Sequence, residues 1–306
     1  MRHDRHETAR CGRAERPCRD TQQTHRQRLI LHGDAPGGSL SGQAPTSHLG
    51  AIVAAPVSLP VSQPRRFSLL HRLGIEPTVQ AIVRFELDAA LAQAEDDRPH
   101  GADIAVLDAG CGRVSALRPF RSRIGRFVGA DIHAPAPGAL PYLDAFVEVD
   151  LCAADPAAFE PASFDVILSS FTLEHFGNPP AALRAFATWL RPGGTLVATT
   201  VNRRHPLVAA YLSAPPGIRH RIQPVVKTSA ADAHPIVGAC NDPDAVEQAL
   251  AHAGFDEVSV TSVSHLARAW GRTLPTFALG VVGDLVATLA PSRRSTIVAV
   301  ARVGAS

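Results

Sequence analysis

Residues 104–112 read Ile-Ala-Val-Leu-Asp-Ala-Gly-Cys-Gly, an apolar run that ends in an acid and two glycines. Its first four residues have the composition of a buried strand. Glycines directly after a strand let a ligand approach the backbone, and a helix that begins after the turn offers unpaired amides. We therefore expect a strand, a turn and a helix that bind a nucleotide-containing ligand through Asp108, Gly110, Cys111 and Gly112.

A second acid follows at the distance that such a site requires. Asp131 ends the next apolar run, about 20 residues after Gly112, where a carboxylate can accept hydrogen bonds from both hydroxyls of a ribose. Ile132 directly follows this acid, so we expect it in the same ligand site. The turn and Asp131 together predict a ribose-containing ligand.

Short apolar runs recur along the chain and have the pattern of strands. Helix-like stretches alternate with them, the clearest beginning at Asn178 and at Asp242, two residue types that cap helices. This alternation predicts a parallel sheet covered on both faces. The expected fold is α/β, a Rossmann-like doubly wound, mostly parallel seven-stranded sheet with an antiparallel C-terminal strand. The expected strands are 104–107, 126–130, 145–149, 164–169, 195–200, 257–263 and 295–302.

The first 64 residues differ in composition from the rest. Residues 1–28 are rich in arginine, and residues 29–64 are rich in Gly, Pro, Ser and Gln without periodicity. Such composition predicts a disordered N-terminal extension over 1–64, with an arginine-rich tail that contacts RNA or acidic partners as the alternative. The remainder, 65–306, is expected to form one domain, with an insertion or lid at 266–294 before the last strand.

Three further motifs complete a familiar pattern. Asp150 and Leu151 follow the third strand, Leu-Glu-His stands at 173–175 after the fourth, and Leu-Arg-Pro-Gly-Gly-Thr-Leu occupies 190–196 before the fifth. With the glycine turn, the chain from Ile104 to Thr200 resembles the class I S-adenosylmethionine-dependent methyltransferases of the methyltransferase type 11-like group.

The resemblance implies S-adenosylmethionine as the cofactor and assigns roles to the motif residues. Asp108 would orient the turn and the amino acid part of the cofactor, with Gly110, Cys111 and Gly112 below it. Asp131 and Ile132 would lie at the ribose, and Asp150 and Leu151 would flank the adenine. Ser170 and Phe171 would face the methionine part.

The pattern departs from the family at one point, because Val114 stands where a third glycine is usual. The departure leaves a non-catalytic partner or regulatory protein with the same fold as one alternative. An NAD-dependent Rossmann enzyme is a second alternative, although the sequence motif of such enzymes has a glycine at the position of Ser115. The preferred interpretation is a methyltransferase that acts by in-line transfer on an unidentified small-molecule acceptor.

A hydroxyl acceptor would require a general base. His175 is the chosen candidate, because the loop after the fourth strand opens at the carboxyl edge where ligands bind in such sheets. Glu174 either orients this histidine or faces away. Weaker candidates lie in segments expected to cover the site: His205, His220, His234 and Tyr211.

Residues 273–290 form an apolar stretch interrupted by Asp284 and two glycines. It is too short and too interrupted for a membrane span. The expectation is a buried or lid helix, and the alternative is peripheral contact with lipid.

Charge and cysteine content narrow the remaining classes. With 30 basic and 28 acidic residues the chain has a formal charge of +2, which is too balanced for an extended nucleic-acid face. Five widely spaced cysteines predict neither a disulfide framework nor a metal site. The N-terminus lacks the apolar core of a signal peptide, so we expect a cytoplasmic protein, with its oligomeric state left open.

Overall fold

The computed structural model describes residues 29–31, 79–99, 102–136, 138–151, 156–226, 236, 238 and 240–305. Eight strands lie in this part of the chain: β1 (Leu29–Leu31), β2 (Ala105–Ala109), β3 (Arg126–Asp131), β4 (Ala145–Glu148), β5 (Phe164–Ser170), β6 (Leu190–Val201), β7 (Glu257–Val263) and β8 (Thr296–Arg302). Seven α-helices accompany them there: α1 (Val79–Asp96), α2 (Pro179–Trp189), α3 (Pro206–Ser213), α4 (Pro216–Val226), α5 (Pro243–His252), α6 (Leu266–Ala269) and α7 (Leu274–Ala287).

All eight strands belong to one sheet in the order β1-β4-β3-β2-β5-β6-β8-β7. The five strands from β4 to β6 run parallel to one another, whereas β8 pairs antiparallel with both β6 and β7. The carboxyl ends of β2 to β7 therefore meet at one edge of the sheet, which we call the carboxyl edge. The expected doubly wound α/β sheet with an antiparallel C-terminal strand is confirmed.

A three-residue strand extends the seven expected ones. Leu29–Leu31 pairs antiparallel with β4, within the segment that was expected to be disordered. The rest of residues 1–64 lies outside the described residues, so the expectation for that extension stays a prediction.

The central strands are buried on both sides because helices cover both faces of the sheet. Every residue of β2 is buried, and so are six of the seven residues of β5. One face packs against α2 and α5, and the other packs against α1. Strands covered in this way consist of continuous apolar residues, which is why the runs were visible in the sequence.

The two clearest helices begin where the sequence indicated. The Asn178 side chain accepts the Ala181 N–H at 3.3 Å, and the Asp242 side chain accepts the Asp244 N–H at 3.0 Å. Each bond satisfies an amide at the first turn of a helix that has no carbonyl partner within the helix.

The prediction of a helix directly after the glycine turn is wrong. The chain there forms turns and a six-residue 3₁₀ helix, Arg118–Arg123, before β3 begins. The Ser115 hydroxyl accepts the Leu117 N–H at 3.1 Å, a local bond that competes with helix formation. Pro119 follows, and the residue before a proline is disfavoured in the α-helical region.

The apolar stretch near the C-terminus forms α7, which begins after a capping box between Thr273 and Thr276. Gly280 and Ala287 are its buried residues, Phe277 and Val281 are partly buried, and its other large apolar side chains are exposed. The expectation of a buried helix is therefore wrong, whereas the expectation of a lid stays a prediction. Among the described residues, no helix combines the length and apolar character needed to cross a bilayer.

Candidate active site

The glycine turn is held between the strands on either side of β2. The N–H of Gly110 donates to the Ala130 carbonyl at 2.7 Å, and that of Cys111 donates to the same oxygen at 3.1 Å. Both Gly110 and Gly112 have a positive φ, +84° and +51°, which favours glycine at both positions.

The two glycines of the turn face different surroundings. A Cβ added to Gly110 would lie 2.3 Å from Oγ1 of Thr172, so Gly110 allows the loop after β5 to pack against the turn. A Cβ added to Gly112 would meet nothing within 4 Å. The backbone at Gly112 therefore borders open space that a ligand can enter.

Asp108 is buried below this turn and is 2 % exposed. The pKa of its carboxyl group is raised to about 7, chiefly by burial; a hydrogen bond with Ser115 opposes this rise, and the nearby charge of Asp131 contributes to it. Its Oδ2 finds no hydrogen-bond partner among the described residues. A buried oxygen without a partner carries a desolvation cost, which a hydrogen-bond donor on a ligand would offset.

Asp131 ends β3 and contacts the turn directly. Its Oδ2 accepts the Gly112 N–H at 2.9 Å, and its Oδ1 accepts the His133 N–H at 3.4 Å. The carboxylate thus holds the glycine turn in place, as its spacing in the sequence indicated. Each of its oxygens retains a further lone pair for a ligand.

The residues expected to flank the ribose and the adenine differ in exposure. Ile132 is 44 % exposed, an apolar surface next to Asp131 at the carboxyl edge. Leu151 is buried in the core face that contains α2, and Asp150 is exposed. Of the two apolar side chains, only that of Ile132 is therefore available to a flat apolar group.

The end of β5 carries backbone strain. Phe171 has a φ of +54°, a left-handed conformation that costs a bulky residue roughly 1–3 kcal/mol. Its N–H donates to both the carbonyl and Oγ1 of Thr199 at 3.0 Å. The Ser170 hydroxyl lies 3.3 Å from the same Oγ1. Strain of this kind clusters at functional sites.

The Phe171 ring stacks on His265, with ring centroids 5.8 Å apart and an angle of 26° between the planes. The pKa of His265 is lowered to about 4, chiefly by burial and in smaller part by the positive charge of Arg268. The sequence analysis did not identify His265, because it considered bases only in the segments after β5 and β6. The position of His265, two residues after β7 and therefore at the same edge of the sheet, could have indicated it.

His175 ends a short 3₁₀ helix, Leu173–His175, and is half-buried at the carboxyl edge. Glu174 turns inward, is 3 % exposed, and accepts the Thr200 hydroxyl at 3.0 Å. This bond ties the loop to β6.

The weaker base candidates have different surroundings. His205 is buried and caps α3, because its Nδ1 accepts the Leu207 N–H at 3.2 Å. Tyr211 packs against Trp270, His220 is exposed on α4, and His234 lies outside the described residues.

Comparison with known proteins assigns the family. The profile of the methyltransferase domain matches residues 80–260. The ubiquinone biosynthesis O-methyltransferase of Xanthomonas campestris pv. campestris is 40% identical over 104 residues, which cover 32% of this chain and 43% of that protein. The protein of that name from Paraburkholderia xenovorans is 30% identical over 168 residues, covering 53% of this chain and 71% of its own. The nocamycin O-methyltransferase of Saccharothrix syringae is 32% identical over 177 residues, covering 53% and 62%.

The chain belongs to the methyltransferase domain family, because the profile covers more than half of it. Membership confirms the expected class, the S-adenosylmethionine-dependent methyltransferases of class I, and its cofactor. The chain spans about 43% of the length of the Xanthomonas relatives that it matches.

The described residues fit that cofactor at three points. Asp108 supplies a buried oxygen without a partner, Gly112 borders open space, and Ile132 exposes an apolar side chain beside Asp131. The ammonium group of S-adenosylmethionine would donate to Asp108. Its ribose would occupy the space at Gly112 beside Asp131, and its adenine ring would lie on Ile132.

The two glycines of the turn should respond differently to alanine. Gly110→Ala places a Cβ against Thr172 and should lower the free energy of unfolding by about 2–4 kcal/mol, from overpacking and left-handed strain. Gly112→Ala should cost only about 1–2 kcal/mol, yet it should weaken binding of S-adenosylhomocysteine. Urea denaturation and calorimetry measure the two effects. Adding Thr172→Ala to Gly110→Ala should restore part of the stability, and equal destabilisation by both single variants would contradict the assignment.

The low pKa of His265 should appear in the pH dependence of stability. The unfolded chain takes up a proton near pH 6.5, whereas folded His265 does so near pH 4. Between these values the unfolded state binds more protons at this site, so the contribution of His265 to the free energy of unfolding falls as the pH falls, by at most about 3 kcal/mol. The raised pKa of Asp108 acts in the opposite direction in both proteins, so the test is the difference between them. In urea denaturation from pH 7.5 to 5, the wild type should lose about 2 kcal/mol relative to His265→Gln. Parallel curves for the two proteins would rule out the shift.

Proposed function

We propose that the protein transfers a methyl group from S-adenosylmethionine to a hydroxyl oxygen of a small molecule. The observation that carries the proposal is the open space at Gly112, whose N–H donates to the Asp131 carboxylate. The buried, unpartnered Oδ2 of Asp108, two residues before Gly110, supports it. The hydroxyl acceptor is favoured by the relatives, which are named for O-methylation in ubiquinone biosynthesis and of nocamycin.

Bound S-adenosylmethionine supplies an electrophilic methyl group on a positively charged sulfur. Asp108 would accept a hydrogen bond from the amino acid part, and Asp131 would accept hydrogen bonds from the ribose. Ile132 and the exposed Asp150 would lie along the adenine, with Leu151 packed beneath them in the core. Ser170 and Phe171 would border the methionine part, with the bonds to Thr199 holding that backbone in place.

The remaining task of the protein is to align the acceptor and to remove its proton. Correct positioning of two reactants can lower a barrier by roughly 7–11 kcal/mol. We propose that Phe171 and His265 form a wall against which the acceptor lies, because the stacked rings occupy the carboxyl edge next to the turn. His175, in the loop after β5, is proposed to take the proton from the acceptor hydroxyl.

Calorimetry with S-adenosylhomocysteine and with NAD tests the cofactor. Only S-adenosylhomocysteine should bind, and Asp131→Ala should weaken it at least about tenfold, since a hydrogen bond to a charged group contributes about 1.5–3 kcal/mol. Glu247→Ala, which removes an exposed carboxylate from α5, serves as the control. Binding of NAD alone would overturn the proposal, and unchanged affinity in Asp131→Ala would remove Asp131 from the site.

Transfer of a labelled methyl group to a panel of phenols, catechols and aliphatic alcohols tests the reaction. Once an acceptor is found, His175→Ala should lower kcat by about 10² to 10⁴, the usual contribution of a general base. His252→Ala, an exposed histidine at the end of α5, should leave kcat unchanged. Binding of S-adenosylhomocysteine without transfer to any hydroxyl would instead favour a non-catalytic partner or a different acceptor atom.

A further inference from the structure

Helix α7 packs against the protein through its small residues. A Cβ added to Gly280 would lie 2.6 Å from Cα of Ala267 in α6, and one added to Gly283 would lie 2.9 Å from Cδ1 of Leu207. The backbone of α7 thus approaches α6 so closely that no larger residue fits at Gly280 without displacement of the backbone.

A partly buried acid fixes the rotation of α7 about its own axis. Oδ1 of Asp284 accepts the Leu266 N–H at 3.2 Å, and Oδ2 accepts the Ala267 N–H at 2.9 Å. The Ser295 hydroxyl donates to Oδ1 at 3.4 Å. Turning α7 to bury its large side chains would break these bonds and leave the first amides of α6 without their acceptor.

The outward face of α7 is consequently apolar. Six large apolar side chains in or just after the helix are exposed by between 46 % and 87 %. They are Leu274, Leu279, Val282, Leu285, Val286 and Leu289. At 100° per residue they fall within an arc of roughly 140°, one continuous stripe of a helix. A contiguous exposed apolar patch of this kind marks an interaction surface.

The charged residues that flank this stripe in the sequence are mostly positive. Residues 265–294 contain four arginines, at 268, 272, 293 and 294, and a single acid, Asp284. That acid is already bonded to the N-terminus of α6. Arg272 precedes the helix and Arg293 follows it, and both are exposed. The apolar stripe therefore lies between two cationic ends.

We propose that the outward face of α7 binds the surface of an anionic phospholipid bilayer, with the helix lying in the plane of the headgroups. Apolar side chains would enter the boundary between headgroups and acyl chains, and the flanking guanidinium groups would pair with lipid phosphates. A second copy of the chain fits less well. Antiparallel pairing of two α7 helices would bring Arg272 of one copy near Arg293 of the other, and like charges would repel.

Sedimentation of the full chain with vesicles tests the proposal. The protein should bind vesicles of three parts phosphatidylcholine to one part phosphatidylglycerol, and at least about tenfold less to phosphatidylcholine alone. The triple variant Val282→Ser, Leu285→Ser, Val286→Ser should lose at least about tenfold in binding to the mixed vesicles. Phe85→Ser removes a comparably exposed apolar side chain from α1 and should leave binding unchanged. Replacing Arg272 and Arg293 by glutamine should abolish the preference for anionic lipid.

A single-residue probe covers the case in which the triple variant misfolds. Val282→Trp should show a blue-shifted emission and quenching by brominated lipid, whereas Phe85→Trp should show neither. Absence of vesicle binding, or equal quenching at both positions, would overturn the proposal. Ultracentrifugation without lipid gives a further test, because a dimer that the triple variant dissociates would make a second copy the occupant. These readouts need neither cofactor nor acceptor, so their failure is distinct from failure of the proposed reaction.

Discussion

The contact between Gly110 and Thr172 is the constraint on which the arrangement of the site depends. It joins the turn after β2 to the loop after β5, the two central strands of the sheet, and it exists only because Gly110 has no side chain. Thr172 strengthens the junction through a bond of 3.3 Å from its hydroxyl to the Ala109 carbonyl. On the other side, the amides of the turn bond to Ala130 in β3. Three adjacent strands thus hold the turn in one shape, and Gly112 is left open.

Several groups at the carboxyl edge cost stability. Asp108 keeps a carboxyl oxygen buried without a partner, and Phe171 holds a left-handed backbone conformation. Such costs persist only where the surrounding structure over-determines the conformation. Here a core on both faces of the sheet supplies that stability, with Trp189 and Phe186 packed on one side and Leu87 and Phe127 on the other. Two costly local arrangements therefore lie where the cofactor and acceptor are proposed to bind.

The α6 and α7 pair connects the site with the exposed apolar stripe. His265 directly precedes α6 and stacks on Phe171, while Asp284 of α7 bonds to the first amides of α6. The rotation of α7 and the position of His265 are therefore set by the same small cluster. If α7 rests on a bilayer, this cluster holds the acceptor side of the site close to the lipid surface, where an apolar acceptor would be concentrated.

Much of the fold was determined by the sequence itself. Strands buried on both faces appear as continuous apolar runs, and the caps at Asn178 and Asp242 act within a few residues. The pairing of Asp131 with the glycine turn also followed from spacing along parallel strands. Tertiary structure decided the rest, because those features depend on residues far apart in the chain. His265 follows β7, at the edge of the sheet, and Phe171 follows β5, near its centre. Their stacking therefore depends on the strand order and not on the sequence near either residue. The outward orientation of α7 depends on the approach of Gly280 to Ala267, and an apolar count cannot reveal which face of a helix a neighbouring backbone will occupy.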